Sequence, residues 1–209
     1  MRYRPEIDGL RACAVLPVVF FHAGFDVVSG GYVGVDVFFV ISGYLITSII
    51  WSEIRAGEFS IWTFYERRAR RILPALFVVI AATVAAAWVI LAPKDAEPFG
   101  QSVIAAIAFY SNILFWREDG YFDVASELKP LLHTWSLSVE EQFYILFPLA
   151  LLLLRRAPLR FLVAAIGFVL LVSLALGHWG ATEHPSAAFY LLPTRAWELM
   201  IGALVALYL

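Results

Sequence analysis

Apolar stretches of membrane-crossing length alternate with short polar clusters along this chain. From position 33 to 51 the only ionisable groups are Asp36 and Tyr44, and about 19 such residues cross a hydrocarbon core of ~30 Å. This run, Gly34-Val-Asp-Val-Phe-Phe-Val-Ile-Ser-Gly-Tyr-Leu-Ile-Thr47, has a lone carboxylate at its head and a small Ser42-Gly43 pair at its middle. The same pattern predicts membrane helices over residues 10–25, 72–92, 137–154 and 161–177, with a last apolar run over 196–209. Residues 99–116 are apolar enough to cross but contain Gln101, Ser102, Ser111 and Asn112. The expected fold is all-α, a polytopic transmembrane helical bundle with six or seven membrane segments. The last run has only fourteen residues, too few to leave the bilayer, so residues 1–209 read as the N-terminal part of a single integral-membrane domain whose C-terminal helices are missing.

Composition and charge refine this picture. With 62% hydrophobic and 15% charged residues and a mean hydropathy of +0.81, the chain falls among multi-pass membrane proteins. The net charge of −2 gives no sign of a nucleic-acid partner, and none is expected. Arg2 and Arg4 form a basic N-terminal collar, Arg55, Arg67, Arg68, Arg70 and Arg71 crowd residues 52–71, and Arg155, Arg156 and Arg160 follow the 137–154 helix. Basic loops stay cytoplasmic, which puts the N-terminus inside and the loop 117–133 outside. Residues 99–116 must then enter and leave on one face, so a re-entrant element is preferred to the full span that hydropathy allows. The first segment is interrupted by Arg11 and His22 and lacks a cleavage pattern, so it reads as retained. The lone Cys13 excludes an intrachain disulfide and reads as a small packing residue. No clustered metal site is expected.

The polar residues inside apolar segments carry the candidate chemistry. Arg11 and His22 are eleven positions apart, hence on one helical face and about 16 Å apart along the axis. An isolated intramembrane histidine commonly just packs, but here Asp26 follows at i+4 and Asp36 lies across the turn Ser29-Gly30-Gly31. A carboxylate-held neutral imidazole is a competent general base. Asp36 is either solvated at the interface or turned to a protein interior; the second is preferred. Residues 61–74 read as an interfacial amphipathic segment. There Arg68 and Arg71, at i,i+3, could clamp a phosphate, or the arginines could simply anchor to lipid headgroups. Glu140 and Glu141 point about 100° apart, so at least one faces inward unless both are solvated at the interface. Arg195 and Glu198, at i,i+3, read as a self-neutralising pair.

Five motifs in order then carry a resemblance: Asp8-Gly-Leu-Arg11 with His22; Gly34-Val-Asp-Val-Phe-Phe-Val-Ile-Ser-Gly43; Phe64-Tyr-x-Arg-Arg-x-Arg-Arg-Ile-Leu-Pro74; His133-Thr-Trp-Ser-Leu-Ser-Val-Glu-Glu-Gln-Phe-Tyr144; and Arg195-Ala-Trp-Glu-Leu199. Together they resemble bacterial acyltransferase family 3, the membrane O-acyltransferases, over essentially the whole chain. The resemblance implies transfer of an acyl group, commonly acetyl from cytoplasmic acetyl-CoA, to a hydroxyl of an envelope saccharide or related acceptor, in the bacterial inner membrane. It further implies that Arg11 and His22 are the essential pair of the first helix and that Arg68 and Arg71 bind the donor. Asp36 and Glu140 complete the expected catalytic set, with His22 as base. The expected partners are membrane lipids, the acyl-CoA co-substrate and the acceptor, with no resident cofactor. Direct transfer and a covalent acyl-enzyme both fit these residues; Ser42 is a weak nucleophile candidate, since no Gly-x-Ser-x-Gly elbow occurs. The alternative is a proton-coupled transporter or flippase using the same buried charges, which leaves Arg68 and Arg71 without a chemical task.

Overall fold

A computed structural model describes residues 5–118 and 129–208, and every regular element among them is helical. The collar residues Arg2 and Arg4 and most of the expected outside loop lie outside the described residues. Helix α1 spans Pro5–His22, α2 Gly34–Ala56, α3 Ile61–Ile90, α4 Ala96–Ile107, α5 Ser111–Arg117, α6 Thr134–Leu154, α7 Leu159–Glu183, α8 Pro185–Tyr190 and α9 Leu192–Tyr208.

Five helical stretches are long and apolar enough to cross a membrane, namely α2, α3, α6, α7 and the α8–α9 stretch Pro185–Tyr208. The expected six or seven segments exceed this for two physical reasons. Helix α1 is only 18 residues long and carries Glu6, Asp8 and Arg11 in its first half. The 99–116 stretch is broken: α4 and α5 have 12 and seven residues, about 18 and 10 Å of helix, and neither can span ~30 Å. The break lies at Phe109, whose φ of 54° is left-handed. Partners on α6 and α8 satisfy the exposed polar groups there, as backbone at membrane depth requires. Gln142 Nε2 donates to the Phe109 carbonyl at 3.0 Å, the Ser111 and Ser138 hydroxyls are 2.7 Å apart, and Asn112 Nδ2 donates to the Tyr190 carbonyl at 3.1 Å.

Helix α3 corrects a second expectation. The arginine segment and the following span form one helix of 30 residues, capped at its start by Ser60, whose hydroxyl accepts from the Thr63 amide. Pro74 sits inside it without ending it. At about 45 Å the helix outruns the hydrocarbon, and its basic first turns are the part left over. Its apolar remainder is largely exposed, with Val78, Trp88 and Val89 all more than two thirds accessible, as Phe168 is on α7. Apolar surface on this scale is stable only against lipid or more protein.

Helix α9 packs most extensively against α2 and α7. A side chain at Gly202 would drive its Cβ into the Val40 carbonyl oxygen, and one at Gly43 into that of Leu199. These two glycines let α2 and α9 touch backbone to backbone, the small-residue mode of packing in membranes. Gly202→Ala is therefore expected to destabilise the fold by about 1–3 kcal/mol. Gly100→Ala, where a Cβ meets nothing within 4 Å, should not. Thermal unfolding in detergent compares the two, and equal midpoints would refute the close contact. The main core lies between these helices and α6, with Phe39, Ile46, Trp135, Val139, Phe143 and Leu199 at its centre.

Candidate active site

Four helix termini converge at one end of the bundle: the end of α1 with His22, the start of α2 with Asp36, the approach to α6 with His133, and the start of α9 with Arg195. Helices α1 and α2 meet closely here because Gly34 offers no Cβ to the Ala14 carbonyl. The four side chains line one cavity of about 400 Å³, together with Tyr32 and Trp135 among others.

His22 Nδ1 lies 2.8 Å from the Val18 carbonyl oxygen. A carbonyl can only accept, so Nδ1 carries the proton and Nε2 keeps its lone pair. The ring is thus oriented from within its own helix. Since α1 ends at His22, Asp26 is not its helical i+4 neighbour; the side chain of Asp26, the expected carboxylate orienter, lies outside what the structure describes, and a backbone carbonyl holds the ring.

Asp36 pairs with Arg195, 159 positions away. The same guanidinium faces Glu198, its Nε 3.2 Å from Oε1 without the geometry of a hydrogen bond. It also lies over Phe39, Trp135 and Phe189, with centroids 5.5 to 5.8 Å away. One cation therefore serves two carboxylates inside an aromatic cage that limits its hydration.

A second cluster occupies the α1–α3–α6 region. Arg68 turns inward, its Nη2 3.3 Å from Glu141 Oε1 and its guanidinium carbon 3.9 Å from the Tyr144 ring centroid. The Tyr144 hydroxyl donates to Glu140 Oε1 at 3.3 Å. Both glutamates are buried, so the reading of both as solvated interfacial anions does not hold. Arg71 is exposed and within electrostatic reach of Arg11, Arg68 and Asp8. Arg11 lies 5.1 Å over the Phe38 ring. The Nε atoms of Arg11 and Arg68 are buried without a hydrogen-bond acceptor.

A family model described as an acyltransferase domain matches residues 4–209. The chain belongs to this acyltransferase family. It is 38% identical over 214 residues to the "Putative peptidoglycan O-acetyltransferase YrhL" of Bacillus subtilis, which covers 99% of this chain and 33% of the relative. It is 38% identical over 210 residues to O-acetyltransferase OatA of Staphylococcus aureus, covering 98% and 34%. An uncharacterized protein of Haemophilus influenzae is 38% identical over 180 residues, covering 83% of this chain and 74% of that protein. The chain thus spans about a third of the length of the first two relatives. No solved structure matches it.

Within the acyltransferase chain the expected catalytic residues divide between the two places. His22 and Asp36 share the cavity, whereas Arg11 and Glu140 belong with Arg68 and Arg71 in the second cluster. Arg68 and Arg71 do not project from the helix as an equal pair, since Arg68 is committed inward to Glu141 and Tyr144. Arg67 and Arg70 bind Glu53 and Glu66 on the outer surface. His133 was missed as a cavity residue. Its only sequence signal is a histidine directly preceding an apolar helix that carries two glutamates.

Burial pushes His133 below the ordinary imidazole range; a hydrogen bond to the Pro130 carbonyl opposes this, and the nearby His22 reinforces it. The folded state therefore favours the neutral ring. The stability this contributes is complete above about pH 6.5 and is lost as pH falls from there through the lower folded value. Thermal midpoints between pH 6.5 and pH 5 should fall less steeply in His133→Gln than in the native chain, and identical slopes would show that His133 does not carry this dependence.

Proposed function

We propose that this multi-pass membrane chain carries the acyl-transfer site of an enzyme that moves an acetyl group from cytoplasmic acetyl-CoA to a hydroxyl of an envelope saccharide. The observation that carries the reading is His22, its Nδ1 held by the Val18 carbonyl and its ring on the cavity wall. Eleven residues away on the same helix, Arg11 joins the arginine cluster.

The arginine cluster suits the donor's phosphates. Three guanidinium groups gather there, and two of their buried N–H groups lack acceptors, an arrangement that favours an anion. By the excess of basic residues this end faces the cytoplasm, which sets the N-terminus inside and the cavity toward the outer face of the bacterial inner membrane. The pantetheine arm of the donor would bridge the ~16 Å along α1. At the cavity His22 Nε2 takes the proton of the acceptor hydroxyl as that oxygen attacks the thioester carbonyl; the carbon–sulfur bond breaks and the thiolate leaves, to be protonated. Asp36 and Arg195 hold the wall beside the base, and Glu140 fixes Tyr144 under Arg68. The names of the Bacillus and Staphylococcus relatives support O-acetylation, and that of the Bacillus relative supports peptidoglycan as the kind of acceptor.

Acetyl-CoA consumption by membranes containing the intact protein tests this reading against a transporter. Changing Arg68 and Arg71 together to lysine keeps the charge but loses the planar fork and the stacking on Tyr144. The KM for acetyl-CoA is expected to rise at least about tenfold, from lost charge-assisted hydrogen bonds of ~1.5–3 kcal/mol each. The same change at Arg67 and Arg70, which bind surface glutamates, should have little effect. Equal, mild losses in both would assign the loop to lipid anchoring. Absence of any acetyl-CoA consumption would overturn the reading itself.

A further inference from the structure

The His22 cavity holds more hydrogen-bonding capacity than one base requires. His133 lines it as well, and one of its ring nitrogens donates to the Pro130 carbonyl. A neutral imidazole that donates through one nitrogen keeps a lone pair on the other. His22 is pinned in the same way by the Val18 carbonyl. Two imidazoles, one from α1 and one from the approach to α6, therefore each bring a lone pair to the cavity wall. Asp36 brings a third. Its Oδ1 takes the bond from Arg195, while Oδ2 has no partner among the described residues, and a third of the side chain is accessible. His22 and His133 keep accessible surface too, so all three groups can be reached from the cavity.

The cations on the same wall are already engaged. Lys129 Nζ lies 2.6 Å from Glu118 Oε2. Arg195, which also borders a second cavity between α7, α8 and α9, is shared between Asp36 and Glu198. Neither leaves an uncompensated charge for an anionic ligand. What the cavity asks of a ligand is therefore O–H or N–H groups. An alcohol with a single hydroxyl would satisfy His22 and, on displacing water, leave His133 and Asp36 without donors, an unmade bond at each. Sites built to hold a substrate O–H or N–H reject analogues that lack it far more strongly than apolar pockets reject a missing methylene.

We propose that His133 and the free oxygen of Asp36 determine specificity for the acyl acceptor, by holding O–H or N–H groups next to the hydroxyl that His22 activates. The preferred acyl acceptor is then a sugar ring whose reacting hydroxyl has other hydroxyls or an amide N–H as neighbours, and a simple alcohol is refused. The assignment rests on the acyl-transfer reading and deepens it, by fixing what the acyl acceptor must present. His133 touches substrate through binding alone and takes no proton in the reaction.

The test is calorimetric binding to the intact protein purified in detergent. The probe is a short oligomer of β-1,4-linked N-acetylglucosamine, which is neutral and carries hydroxyls beside an acetamide N–H. His133→Phe keeps a ring but loses the lone pair, and should raise the Kd of the oligomer by about tenfold or more. His133→Gln keeps a side-chain oxygen and should stay within about threefold of native. Asp36→Asn can hold Arg195 through its oxygen and then presents an NH2 group where the oligomer needs a lone pair, so it should weaken binding by about tenfold as well. The Kd of acetyl-CoA should stay within about twofold of native in all three, which separates a local loss from a folding defect. An oligomer that the native protein does not bind, an unchanged Kd in either His133→Phe or Asp36→Asn, a loss in His133→Gln equal to that in His133→Phe, or a parallel loss of acetyl-CoA affinity would each overturn the proposal. The readout needs no turnover. Acetyl-CoA consumption in membranes carrying the native protein reports separately on the acyl-transfer reading, so failure of either is seen apart from the other.

Discussion

Replacing His22 by alanine is expected to lower acetyl transfer by about a thousandfold, the middle of the range for loss of a positioned general base. The chain should still insert and fold. His22 lies at the last turn of α1 on the cavity side, and its hydrogen bond among the described residues is to a carbonyl of its own helix, so truncation leaves no described buried side chain without a partner. The measurement is acetyl incorporation into acceptor by membranes carrying equal amounts of native and variant protein. Transfer within a few-fold of native would remove His22 from the chemistry and return it to helix packing. The proton placement strengthens the expectation. With Nδ1 occupied by the Val18 carbonyl, the single free lone pair is at Nε2, and no tautomeric shift is needed before it can act.

Arg195→Ala is expected to be the most destabilising single change among the polar residues. It leaves Asp36 and Glu198 facing each other with their shared cation gone, and breaking a buried ion pair by removing one partner costs about 3–5 kcal/mol. Asp36 keeps a third of its side chain accessible, whereas Glu198 is sealed. Water can thus relieve only one of the two, and the lower end of that range applies. Arg195→Lys should recover part of the loss through charge but not the stacking against Phe39, Trp135 and Phe189. Adding Asp36→Asn and Glu198→Gln to Arg195→Ala should restore most of the stability, since the penalty comes from the carboxylates left behind. Thermal unfolding in detergent distinguishes these variants, and an Arg195→Ala midpoint equal to native would mean that the pair contributes nothing.

Much of the site was legible at the level of which residues matter and little at the level of which touch. Asp36 and Glu140 stand out because a carboxylate inside an apolar run demands a reason, and both are engaged with protein partners here. The partners themselves were not legible. Arg195 and Glu198, at i,i+3, looked self-sufficient, yet the guanidinium also reaches Asp36 on another helix. Arg68 and Arg71 share a helical face in projection, but a side chain as long as arginine takes its direction from what surrounds it, and Glu141 with Tyr144 draws Arg68 inward.

The sequence by itself determined that the chain is a helical membrane protein, because the length and apolarity of a segment decide whether it can satisfy its backbone within lipid, and both are local properties. The charge balance of its flanks favoured a non-spanning 99–116 over the full span that hydropathy allows, but the break itself, at Phe109 and held by Gln142 on α6, came from the tertiary structure. Only the tertiary structure decided which buried charges form which cluster. Pairing depends on helix order and on close contacts such as Gly202 against Val40, and hydropathy records neither. That packing places Arg195 between two cavities and sets Arg11 with the arginines of α3 and the glutamates of α6, while His22 joins Asp36 at the other end of its helix.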